Sequence, residues 1–207
     1  MGYRSLSVRN DTKRRFEDID KMLEILCKNS KVESQLILKA SLILMLYNVI
    51  ESTICNLLTE LFDTIIKKNK SIDKLPNRLQ DTIYTYYLKI IDKDIKKLKE
   101  FRGCDNIKIC NISYLDINKH FKLFSGNLDS KLIREISKKL GVDLPNNIDE
   151  PYLLFIKNTR NRLAHGEKKF SEACQDITLD EIKKMCRKVT IYLEEVTNTY
   201  EFFLESL

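Results

Sequence analysis

Glycine and proline are scarce in this chain, and this scarcity constrains the fold more than any other sequence feature. Only five glycines and three prolines interrupt 207 residues, so few positions break a helix or form tight turns between short strands. Between these breaks, apolar residues recur every three or four positions, which is the period of an amphipathic helix. The sequence therefore predicts an all-α fold, and its length suits a single domain over residues 1–207.

The N-terminal half is predicted to form three helices. Asp11 is a candidate N-cap for a helix within residues 1–30, and a second helix is expected from about Val32 to Lys68, long enough to be kinked or divided. Pro76 is expected to begin the third, which reaches about Phe101. Residues 103–128 show no clear helical period and are interpreted as an irregular insertion, in which residues 107–112 can form a short strand.

The C-terminal half carries clear capping signals. Asp129 or Ser130 is expected to cap a short helix that Gly141 closes. A second helix runs from about Glu150 to Gly166, and a third begins at the capping box formed by residues 178–181.

The charged residues and cysteines limit the function classes. Thirty-six Lys and Arg against thirty Asp and Glu give a net charge of +6, spread along the chain. This suits either a polyanionic partner or a solvated helical surface. Six scattered cysteines without a C-x-x-C pair, and only two histidines, argue against zinc, so we expect no metal and no cofactor.

The apolar segments predict a protein of the cytoplasm. The N-terminal residues are polar and lack the pattern of a secretory signal, and we expect reduced thiols. The most apolar stretch, residues 36–50, contains Lys39 and runs into Glu51. It is short for a membrane span, so we interpret it as a core helix and expect no membrane partner.

One segment combines the residue types needed for RNA chemistry. In Arg160-Asn-Arg-Leu-Ala-His165, four residues separate an arginine from a histidine within a predicted helix. Histidine exchanges protons near neutral pH, and arginine binds phosphate. On a helical wheel, Asn158, Asn161 and His165 lie opposite the core stripe, with Leu154 beside them and Arg160 on the flank. Asn161 and His165 are four positions apart, so the amide can approach the imidazole. The residues alone also allow a simpler interpretation, in which His165 caps the helix and Arg160 is a surface charge.

The surroundings of this segment resemble a known family. Arg160 to His165 matches the R-x(4–6)-H motif of the HEPN superfamily, including a polar residue after the arginine. Residues 156–170 resemble the R-N-x-x-A-H-G-E-x-x-F stretch of the MAE-type HEPN-like nucleases. Residues 124–141 resemble the segment before the motif, and Tyr47-Asn-Val-Ile-Glu51 resembles the early helix. Residues 1–30 have no counterpart in these matches.

The resemblance implies a HEPN-like helical bundle that forms a homodimer, with two motifs facing each other across a shared cleft. It implies a metal-independent endoribonuclease of prokaryotic defence or toxin–antitoxin growth arrest, with an antitoxin or defence-system protein as a further partner. By position, Arg160 and His165 are the catalytic pair and Asn161 is the polar helper. The alternative is a HEPN-like module that binds RNA or protein without cutting.

Other residues near the motif are weaker candidates. Glu51 can pair with Arg160 or orient His165, although a solvated or interface acid is an equally simple interpretation, and Asn158 is a possible supporting residue. Four basic residues can contact the RNA backbone: Lys157, Arg162, Lys168 and Lys169.

Overall fold

The computed structural model describes residues 5–91, 118, 127–146 and 151–207. These residues contain no β-strand, and the all-α prediction is confirmed. The described α-helices are α1 (Ser5–Lys28), α2 (Val32–Lys67), α3 (Asn77–Ile91), α4 (Ser130–Lys139), α5 (Pro151–Ala164), α6 (Phe170–Ala173) and α7 (Leu179–Ser206). Most of the predicted insertion and its candidate strand lie outside the described residues.

Helix α2 is the central element of the fold. It runs through 36 residues without interruption, so of the two possibilities, a kink or a division, the division is not observed. Helices α1, α5, α6 and α7 all pack against it. By length and composition alone α2 is the one described helix that can cross a membrane, but 56% of its most apolar 18-residue window is buried inside the fold. This burial supports its interpretation as a core helix.

Helix α1 begins before its predicted cap. Asp11 lies inside the helix, which is already formed at Ser5, so the prediction that Asp11 is an N-cap is wrong. Instead, the Asp11 carboxylate accepts hydrogen bonds from Arg15 Nε at 2.8 Å and from Asn56 Nδ2 at 3.3 Å. Because aspartate can either cap a helix or pair with a cation along it, the residue type alone does not distinguish these two roles.

The ends of α1 and α7 are joined by a charged contact. Arg9 donates through Nε to Glu201 Oε1 at 2.6 Å and through Nη2 to Asn198 Oδ1 at 2.6 Å. This contact spans 192 positions of sequence. It ties the N-terminal helix to the last helix, alongside the packing of both against α2.

The predicted capping signals of the C-terminal half are present. The Asp129 side chain accepts from the Leu132 N–H at 2.9 Å and so caps α4. Gly141 follows that helix with a φ of +82°, a conformation that favours glycine. Thr178 and Glu181 form the capping box of α7. The four-residue α6 was not predicted, because it is too short for a helical period.

Buried thiols predict that the fold loses stability in alkaline solution. Burial raises the pKa of Cys186 to about 12 and that of Cys174 to about 11, from 9.0. These groups ionise more readily when unfolded, so stability is complete below pH 9 and falls as the pH rises toward the folded-state pKa values.

At pH 10 the Cys186 thiol alone is expected to lower the free energy of unfolding by about 1.4 kcal/mol. Urea unfolding under reducing conditions at pH 7.5 and pH 10 measures this loss. Cys186→Ala should show a loss smaller by about that amount. The same loss in both proteins would contradict the assignment to Cys186.

Candidate active site

The end of α5 fixes the position of His165. Gly166 follows with a φ of +70°. Its N–H donates to the Leu163 carbonyl at 3.2 Å, and the Glu167 N–H donates to the Arg162 carbonyl at 2.9 Å. These two bonds form a Schellman motif, the standard end of an α-helix with glycine in the left-handed region. His165 is the residue between the helix and this glycine, and it is exposed.

Arg160 is half-buried and held on two sides. Its guanidinium carbon lies 4.8 Å from the centroid of the Tyr47 ring, in the geometry of a cation–π contact. Its Nη1 donates to Asn161 Oδ1 at 3.0 Å, and Asn161 Nδ2 donates to Asn127 Oδ1 at 2.6 Å. Because Asn161 is the only described residue that accepts from this guanidinium, its other N–H groups are available for an anion.

A three-residue segment, Asn127 to Asp129, supports both α2 and α5. Asn127 supplies the amide acceptor just described. The Leu128 N–H donates to Tyr47 Oη at 3.2 Å in the buried interior. Asp129 Oδ2 accepts from Lys157 Nζ at 2.5 Å, with side chains 16% and 18% exposed. Each residue of the 127–129 segment therefore holds one part of the surroundings of Arg160.

The environment of Tyr47 shows how close the charged groups lie. Burial raises the pKa of the Tyr47 phenol, the Leu128 N–H and Arg160 oppose the shift, and Glu51 adds to it. Glu51 is half-exposed and forms no ion pair with Arg160, so this one of its candidate roles is not present in the structure. Its electrostatic effect on Tyr47 nevertheless places its charge near the site.

The exposed face of α5 has the composition that the helical wheel indicates. Asn158 and His165 are exposed, and Leu154 is 48% exposed. The amide of Asn161, however, bonds with Arg160 and Asn127. Among the described residues, no hydrogen bond joins this amide to the imidazole, and Asn161 instead orients the arginine.

The four candidate backbone-binding residues differ in their surroundings. Lys157 forms an ion pair with Asp129, so its ammonium group already has a partner inside the fold. Arg162 and Lys169 are exposed and Lys168 is half-exposed. Lys169 Nζ lies 3.9 Å from Glu172, an ion pair that solvent weakens. Arg162, Lys168 and Lys169 remain positioned near the His165 turn.

Sequence reasoning did not identify the roles of Asn127 and Tyr47. Tyr47 resembles the aromatic residue in the early helix of the family, but no sequence pattern indicates that the Arg160 guanidinium lies over its ring. Asn127 immediately precedes the capped α4, and a polar residue before a cap is ordinarily exposed. Within the described residues, no group of three His, Cys, Asp or Glu side chains is placed to hold a metal ion.

Replacing Tyr47 tests whether it supports the 127–129 segment. Tyr47→Phe keeps the ring under Arg160 but leaves the buried Leu128 N–H without its acceptor, which is expected to lower the free energy of unfolding by about 1–3 kcal/mol. Chemical denaturation measures the change. Tyr84→Phe on α3 is the matched control and should have an effect within about 0.5 kcal/mol. Equal effects of the two substitutions would contradict the role of the Tyr47 hydroxyl.

The fold and the site together define a class of protein. This all-α bundle has an arginine near the end of one helix and a histidine just after that end, with four residues between them and a polar residue directly after the arginine. These are the features of a HEPN domain. A comparison with protein families agrees with this class.

The family described as HEPN_MAE_28990-like HEPN matches residues 6–206, and the chain belongs to this family. The match includes α1, for which the sequence motifs gave no counterpart. No curated protein and no solved structure matches the chain significantly. HEPN membership is consistent with a nuclease or an RNA-binding module.

Proposed function

We propose that this protein is a metal-independent endoribonuclease. The observation that supports this most is the held guanidinium of Arg160, with free N–H groups, on the helix that presents an exposed His165. A preoriented cation does not need to reorganise in order to stabilise the negative charge that develops in a transition state. An exposed imidazole at the helix end can reach a substrate and exchange a proton with it.

The proposed reaction uses the 2′-hydroxyl of RNA as the nucleophile. A histidine accepts the 2′-OH proton as the oxygen attacks the adjacent phosphorus, and the bond from phosphorus to the 5′-oxygen breaks. A proton returned to that 5′-oxygen completes the step. Arg160 stabilises the charge on the phosphoryl oxygens. The products are a 2′,3′-cyclic phosphate and a 5′-hydroxyl, and DNA is not a substrate because it lacks the 2′-hydroxyl.

We propose that two copies of the chain form one cleft. A single His165 does not easily serve as both base and acid in one turnover, and a second copy supplies the other imidazole. The exposed Leu154 lies on the same face of α5 as Asn158 and Asn161, so an apolar contact adjoins the polar groups. Sedimentation at micromolar concentration tests this: a dimer is expected, and only the 24.4 kDa monomer would contradict it.

The proposed setting is prokaryotic defence or toxin–antitoxin growth arrest, with an antitoxin or a defence-system protein restraining the enzyme. This part of the proposal follows from the family alone. Expression of the chain in a bacterial host tests it: wild type is expected to arrest growth, and His165→Ala is not. Equal growth with both would contradict a growth-arrest role.

The function is tested by incubating the protein in EDTA with an RNA and with a DNA of the same sequence. Cleavage of the RNA alone is expected. A protein that binds the RNA but leaves it intact under all conditions would instead be the second candidate, a HEPN-like binding module without activity. Cleavage of both the RNA and the DNA would contradict attack by the 2′-hydroxyl.

A further inference from the structure

A small cavity adjoins the turn that presents His165. It has a volume of about 140 Å³ and lies between α5, the turn after α5, and the connection from α6 to α7. Phe155, Thr159, Arg162, Lys168, Asp176 and Ile177 line it. Ligand pockets for drug-sized molecules are about 300–1,000 Å³, so this cavity suits a single planar ring system.

Three charged side chains surround this cavity. Arg162, Lys168 and Asp176 form no ion pair with one another or with any other described residue. Thr159 is only 6% exposed, and its side chain lines the cavity. Arg162 and Asp176 are exposed and Lys168 is half-exposed, so a ligand can reach all three charges. These four residues can therefore contact a molecule that enters the cavity.

The cavity is connected to the catalytic turn through the backbone. Arg162 and Lys168 lie three positions before and three positions after His165. The Lys168 N–H donates to the Arg162 carbonyl at 3.4 Å, which closes the turn on the side of the cavity. Arg162 and Lys168 are therefore available for the phosphate of a nucleotide bound in the cavity.

We propose that this cavity is a guanine-binding subsite for the nucleotide next to the cleaved phosphate. The proposal rests on the endoribonuclease function and gives it a base preference. Asp176 supplies two carboxylate oxygens as acceptors, Thr159 supplies a hydroxyl, and Phe155 supplies an aromatic side chain for contact with the base. Unstacked bases of single-stranded RNA are recognised by this combination of aromatic contact and hydrogen bonds to their edges.

The carboxylate selects guanine among the four bases. Guanine presents two adjacent donors on its pairing edge, the ring N–H and the exocyclic amino group, which match the two oxygens of Asp176. Adenine and cytosine present only an amino group as donor on that edge. Uracil flanks its single ring N–H with carbonyl oxygens, which a carboxylate repels. A bidentate pair of this kind discriminates against the wrong base by about 5- to 150-fold.

The test is an NMR titration of the wild-type protein with GMP, AMP, CMP and UMP in turn. GMP is expected to bind most tightly, with the largest amide shifts around residues 155–177, and at least about 5-fold more tightly than UMP. Asp176→Asn should remove this preference. Asp180→Asn, an equally conservative change of an exposed acid outside the cavity, should keep it.

Two results would overturn the subsite: no difference among the four nucleotides, or a GMP preference that survives Asp176→Asn. The titration needs no catalysis, so its result is separate from that of the cleavage assay. Where wild-type protein cuts a mixed RNA, sequencing of the fragment ends should show guanine enriched beside the cut. The Asp176→Asn variant should still cut the RNA, but without this enrichment. If the wild-type protein cuts no RNA, the enzymatic proposal is rejected, whereas the proposed nucleotide site is not.

Discussion

Replacing His165 by alanine is expected to reduce RNA cleavage by about 10²- to 10⁴-fold, the range that general acid–base catalysis contributes. The side chain is exposed, so the fold should be unaffected. Single-turnover cleavage in EDTA measures the rate, and the thermal unfolding midpoint reports on the fold. Lys169→Ala, which removes an exposed cation four positions away, should retain a rate within a few-fold of wild type. Equal rates for wild type and His165→Ala would reject the catalytic assignment.

Arg160→Ala is expected to lower the same rate by about 10²- to 10³-fold, because a preorganised charge is removed from the developing transition state. Arg160→Lys should not restore activity. An ammonium lacks the planar guanidinium that lies over Tyr47 and bonds with Asn161. Full activity of Arg160→Lys would show that only a positive charge is needed at this position.

Breaking the ion pair between Lys157 and Asp129 is expected to have a large effect on stability. Lys157→Met should lower the free energy of unfolding by about 3 kcal/mol, at the lower end of the range for breaking a buried ion pair, because water still reaches both side chains. Burial opposes ionisation of Asp129, but the hydrogen bonds from Lys157 and the Leu132 N–H outweigh it and lower the pKa of its carboxyl. The stabilisation is therefore present at neutral pH and is lost as the pH falls through this lowered pKa.

Urea denaturation at pH 7 measures the Lys157→Met effect, and the double variant Lys157→Met with Asp129→Asn is its control. Asparagine keeps the N-cap of α4 and removes the unpaired charge, so the double variant should recover most of the loss. A double variant as unstable as Lys157→Met alone would show that the ion pair is not what stabilises this region.

The helices were predictable because their signals are local. Apolar periodicity indicated α2, and the Thr178 capping box and the glycine at position 141 marked helix ends, since each depends on residues within a few positions. Asp11 shows the limit of this reasoning. Aspartate can serve as a capping residue or as an i,i+4 ion-pair partner, and only the conformation of the preceding residues distinguishes the two roles.

The surroundings of Arg160 were not predictable, because they join three distant parts of the sequence. The contact of Tyr47 with Arg160 spans more than a hundred positions, and the 127–129 segment bonds with Tyr47 and with Asn161, which in turn accepts from Arg160. Such contacts follow no period. Lys157 shows the same limit: its position beside the Arg160–His165 motif suggests an RNA contact, and only the fold shows that Asp129 is its partner.

The chemical nature of the fragment ends tests the central claim most directly, namely that Arg160 and His165 cut RNA through its 2′-hydroxyl without a metal. A synthetic RNA is incubated with the protein in EDTA, and the fragments are analysed by mass spectrometry. We expect 2′,3′-cyclic phosphate ends from wild type and intact RNA with His165→Ala. Fragments that form only when a divalent metal is added and that end in a 3′-hydroxyl would contradict the account.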